Sequence, residues 1–153
     1  MNRLAGALYS IVIALWVGGL FAIGCLAAPV LFSRMPDSAA AGNLAGAMFT
    51  LMAWFGLGCA AYILLYLCAQ RGWRALQCPL FWIVLLMALL TAAGHFGIQP
   101  ILARLKADAL PRKVMESALR DRFAAWHGVS SVLYLVQSGL GLWLVVWQER
   151  GRR

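Results

Sequence analysis

Charge is what this sequence has least of. Of 153 residues only 12% are Asp, Glu, Lys or Arg, about half the ~25% of a soluble domain. The charges it has are confined to short stretches between long apolar runs, which excludes a soluble globular fold and leaves a single polytopic membrane domain. No two carboxylates lie within those runs, and there is no GxSxG, Walker loop or HExxH, so the common hydrolase, nucleotide-binding and zinc-protease sites are excluded. Cys25, Cys59, Cys68 and Cys78 form no CxxC. That spacing gives neither a disulfide framework nor a structural zinc site, and a cysteine in an apolar run acts as a small hydrophobe. The formal charge of +8 does not indicate nucleic acid, because the basic residues flank apolar spans, where insertion rules and anionic lipid account for them.

What is present is apolar length. The hydropathy pattern predicts an all-α bundle of four transmembrane helices over about 4–32, 43–70, 79–105 and 123–148, each longer than the ~20 residues that cross the hydrocarbon core. The first run greatly exceeds the ~7–15 residue core of a signal peptide, so a retained helix is expected, with Pro29 in its last turn or as a kink. Residues 33–42 read as a loop with Asp37 and Ser38 as a helix cap, and Pro79 suits the first turn of the third helix. Residues 106–121 read as the extramembrane piece, with a short surface helix after Pro111.

Four crossings put both termini on one face. That face carries Arg3, Arg71, Arg74, Arg150, Arg152 and Arg153 against Glu149. The other carries Arg34, Arg104, Lys106, Arg112, Lys113, Arg120 and Arg122 against Asp37, Asp108, Glu116 and Asp121. Basic residues packed into short segments beside the spans favour cytoplasmic termini. Gly18, Gly19, Gly42, Gly46, Gly56, Gly58, Gly139 and Gly141 are read as helix-packing positions, and Trp73, Trp126 and Trp147 as interface anchors.

Both histidines lie toward one membrane face. Thr91, His95 and Gln99 recur every four residues on the third span, with Arg104 beyond them. His127, Ser130, Ser131, Tyr134 and Gln137 trace a stripe on the fourth. Two polar stripes on neighbouring helices are expected to face each other rather than lipid. The plain reading is structural: interhelical hydrogen bonds of ~0.6 kcal/mol each. The functional reading is an intramembrane site, because ionisable groups within spans are candidates by default. His95 and His127 are then the metal candidates, or axial ligands of a b-type haem. Two imidazoles without a carboxylate make only half a metal site. Their expected offset of about 6 Å along the axis also fits haem poorly. Ser130 and Ser131 lie within a turn of His127, but no acid orients that ring, so hydrolase chemistry is set aside and a non-enzyme with no resident cofactor is expected.

The segments "LWVGGLFAIGCLAAPVLF", "HFGIQPILARL" and "FAAWHGVSSVLYLVQSGLGL", with an F-x-x-x-H-G-x-S core at Phe123, His127, Gly128 and Ser130, resemble the DUF4149, or TMEM205-like, membrane family. The resemblance implies a four-helix protein, in bacteria one of the inner membrane, with no activity to carry over onto particular residues. A more distant likeness, to the copper-resistance D and haem-synthesis membrane groups, implies intramembrane histidines and motivates the metal and haem alternatives. The readings that follow are a small-solute or metal-ion handling protein with a polar site between helices three and four, an accessory subunit of a membrane complex, or a haem protein. The lipid bilayer is the expected surrounding, with self-association or a larger complex as further possibilities and no nucleic acid.

Overall fold

The computed structural model describes residues 3–110, 114–116 and 118–150. Four helices are long and apolar enough to span a membrane: Leu4–Arg34, Ser38–Gln77, Pro79–Asp108 and Arg120–Gln148. They are called here the first to fourth helices; no strand occurs among the described residues. Each packs against its neighbours in sequence, and the fourth closes on the first. The result is an antiparallel four-helix bundle, as the hydropathy pattern predicts.

Local chemistry sets the ends. Asp37 is extended (φ −97°, ψ 107°) and its carboxylate accepts from the Ala39 N–H at 3.1 Å, which supplies a partner for one of the orphan donors of the helix start. The second helix therefore starts at Ser38, and the non-helical connection is only Met35–Asp37, shorter than the loop expected over 33–42. At the opposite end Gly72 has φ 56°, a left-handed backbone that suits glycine, and opens a 3-10 turn, Gly72–Gln77. Cys78 is extended, and Pro79 follows in the first turn of the third helix, where its missing N–H costs nothing. The connection to the fourth helix holds a single 3-10 turn, Val114–Glu116, among its described residues. The surface helix expected after Pro111 begins on residues that lie outside the described ones.

Pro29 and Pro100 do not end their helices. Each follows a π-helical segment, Ala22–Ala27 and Ala93–Ile98, after which α-helix resumes. Proline offers no N–H to the preceding turn and its ring crowds the carbonyl four residues back. A wider turn closed by i→i+5 bonds relieves that crowding without breaking the helix.

The buried core is uneven along the bundle. Ile13, Trp16, Val17, Leu20, Met52, Cys59, Ile63, Leu67, Leu80, Ile83, Val84, Met87 and Leu144 form one cluster. Along the chain it reaches Leu20, Met52 and Met87 and stops there, so close apolar packing fills the half toward Gly72–Gln77. Trp16 is fully buried because Gly56 makes room: a Cβ there would lie 2.6 Å from its Nε1. The outer surface is as apolar as the interior, with Leu4, Leu15, Leu51, Leu65 and Leu135 all well exposed. In water that would drive aggregation; in hydrocarbon it is the matching surface.

Candidate functional site

Beyond the cluster, toward the end carrying both π turns, the interior turns polar. Thr91, Gln137 and Ser138 are the buried polar side chains among the described residues. Gln137 Nε2 donates to Thr91 Oγ1 at 2.7 Å, and the Thr91 hydroxyl donates onward to the Met87 carbonyl at 2.8 Å. This chain joins the fourth helix to the third. Three residues earlier on the fourth helix, Tyr134 turns to the first: its hydroxyl donates to the Leu20 carbonyl at 2.6 Å, just before the Ala22–Ala27 π turn. Its ring meets Phe49 edge-on at 5.1 Å and lies over Gly24, where a Cβ would overlap it. The polar stripe of the fourth helix thus serves two neighbours.

His95 sits inside the second π turn. Its ring is half-buried and packs edge-to-face on Trp54 of the second helix at 5.4 Å and on Phe96 at 4.8 Å. Its Nδ1 is buried and has no hydrogen-bond partner. His127 is exposed, with its ring parallel to Phe123 of its own helix at 6.0 Å. The two imidazoles therefore keep different company. Ser131 is exposed and donates to the His127 carbonyl, and Ser138 donates to the Tyr134 carbonyl, each back-bonding within the helix. Gln99 and Ser130 are half-buried, and Arg104 is exposed at the bundle's rim. Of the residues singled out by sequence, the fold joins Thr91 to Gln137 directly, sends Tyr134 to the first helix and His95 to the second, and leaves His127, Ser131 and Arg104 outside. Among the described residues no three His, Cys, Asp or Glu side chains stand close enough to share a metal ion. One open cavity, of about 310 Å³, is an apolar groove lined by Val12, Trp54, Phe55, Gly58, Cys59 and Tyr62.

A family model described as "Domain of unknown function (DUF4149)" matches residues 11–111. The chain belongs to the DUF4149 family. The match takes in most of the first helix, all of the second and third, both π turns, and Thr91, His95 and Gln99; it ends before the fourth helix and its Tyr134 and Gln137. No curated protein and no solved structure matches this DUF4149 protein. Its site is therefore read from its own geometry. Sequence reasoning missed three parts of it: Trp54 and Gly24, which nothing in the sequence pattern sets apart, and the Leu20 carbonyl, which no side-chain pattern reports. The one available signal was the repeated small-residue run seven positions ahead of a proline, "AIGCLAAP" and "AGHFGIQP".

Proposed function

We propose that this DUF4149 member is a non-enzymatic multi-pass protein of the bacterial inner membrane, with cytoplasmic termini, that handles a small polar solute beside His95, where the third helix meets the second. The observation carrying this reading is the partnerless, buried Nδ1 of His95, one turn along from the buried Thr91–Gln137 bond. An unsatisfied buried polar atom costs roughly 1–3 kcal/mol. The π turn that carries it is a geometry frequent at functional sites. The ring can accept or donate a hydrogen bond there, and the Thr91–Gln137 bond one turn deeper ties the third helix to the fourth. The dense apolar cluster behind them gives the site a floor. A metal ion fits less well than a polar organic solute, since His95 and His127 pack on different neighbours. A bis-histidine haem meets the same objection, and the purified protein should show no Soret band.

The test is thermal unfolding of detergent-purified protein against a panel of neutral, anionic and cationic small solutes. At least one solute should raise the midpoint, and His95→Phe, which keeps the aromatic packing on Trp54, should abolish that shift. A panel with no effect, or an equal effect on the variant, overturns the reading.

A second reading, an accessory subunit, draws on the glycines. Gly19, Gly56 and Gly141 are used inside the bundle, whereas a Cβ on Gly18, Gly46, Gly58 or Gly139 would meet nothing within 4 Å. Such open positions let another helix approach closely. Gentle-detergent purification followed by mass spectrometry should then find a stoichiometric partner.

A further inference from the structure

At the end of the bundle beyond His95, Lys106 reaches across the rim to the second helix. It is half-buried, its Nζ lies 3.2 Å from Asn43 Oδ1 on the second helix, and it stands 6.0 Å from the ring centroid of Phe123 on the fourth. Gly42 and Phe32 border the same space: a Cβ on Gly42 would lie 3.9 Å both from Lys106 Nζ and from Phe32 Cζ. Residues of all four helices thus border one ammonium group on one side. Neither contact is with a carboxylate. An ammonium has three N–H donors and no acceptor. One is directed to Asn43, which leaves two, and the Asn43 amide adds N–H donors of its own beside them. A partly desolvated cation with spare donors is the complement of an anion. The surroundings agree, since Arg34, Arg104, Arg120 and Arg122 are all exposed on this face and would draw an anion in.

We infer that Lys106 and Asn43 form an oxyanion seat at the mouth of the bundle that takes a phosphate group. Phosphate fits better than a carboxylate because its additional oxygens can use the spare lysine donors and the amide together. The phosphate can belong to a phospholipid headgroup, which lies at this depth, or to a free ion. The seat is separate from the His95 region: Lys106 lies eleven positions further along the helix, about 16 Å. It stands whether or not a solute binds at His95.

The experiment measures binding to the full chain of two probes: inorganic phosphate by titration in detergent, and phosphatidylglycerol against phosphatidylcholine by native mass spectrometry of protein released from mixed nanodiscs. At least one phosphate probe should bind, and Lys106→Gln should weaken it about tenfold, the value of one lost charge-assisted contact. Asn43→Asp supplies a counter-charge at the Lys106 contact itself. That variant should fold at least as stably as the parent, by thermal unfolding, yet lose the same binding. Retention of phosphatidylglycerol alone assigns the seat to a lipid headgroup, and saturable inorganic phosphate alone assigns it to the free ion. Binding of neither probe, or equal binding by parent and both variants, overturns the inference.

Discussion

Removing the two ends of the Thr91–Gln137 hydrogen bond should have unequal consequences, and the inequality reveals what the bond does. Gln137→Leu takes away the donor. Thr91 then still donates to the Met87 carbonyl and loses only an accepted bond, while a buried amide gives way to an apolar side chain of similar length. The expected cost is near the ~0.6 kcal/mol average for interhelical bonds in membranes. Thr91→Val takes away the hydroxyl but preserves its shape. The Gln137 amide is then left buried beside a methyl group, and the cost rises to about 1–3 kcal/mol. With both changes nothing polar is stranded, so the double variant should recover most of the Thr91→Val loss and show a coupling energy of at least about 0.5 kcal/mol. Unfolding in mixed micelles, followed by tryptophan fluorescence, gives all four stabilities. Equal costs for the single variants, or strictly additive costs in the double, would refute this description of the seam.

Gly24→Ala should destabilise by about 1–3 kcal/mol, because the new methyl overlaps the Tyr134 ring; adding Tyr134→Leu should recover part of that loss in the same unfolding assay. Gly56→Ala should cost a similar amount, since the fully buried Trp16 cannot move aside. Gly58→Ala nearby meets nothing within 4 Å and should be neutral or stabilising. Asp37→Ala should cost about 1 kcal/mol through the lost cap on Ala39. With cytoplasmic termini, a cysteine at position 115 should react with an impermeant maleimide added to intact cells and one at position 73 should not; the reverse pattern would invert the orientation.

The four spans were legible because a long apolar run without charge is suited to little besides a bilayer, and the Asp37 cap and Pro79 start because each residue answers a particular backbone need. The neighbour chosen by each polar side chain was not legible. The every-fourth-residue match of Thr91, His95 and Gln99 assumes an uninterrupted α-helix, but Ala93–Ile98 is π-helical. Its turns hold more residues, so the shared face dissolves between Thr91 and Gln99. A proline preceded by small residues is compatible with a kink, a stop or a widened turn, and only packing chooses among them. On the fourth helix Tyr134 and Gln137 differ by three residues, about 60° around the axis. That is enough for one to reach the first helix and the other the third. His127 was placed at a suitable depth, but depth carries no information about rotation, and its ring lies outside against Phe123.

A solute site around His95 must be open to water, whereas a structural histidine at this depth need not be. The direct measurement replaces Cys25, Cys59, Cys68 and Cys78 with alanine or serine, installs His95→Cys, and times its reaction with a water-soluble methanethiosulfonate reagent in native membranes. A thiol reacts as the thiolate, which forms only where water reaches it. The account predicts modification at a rate well above that of a control cysteine at the lipid-facing Leu51, slowed by any solute that stabilises the parent protein. A residue 95 as unreactive as residue 51 would contradict the proposed site.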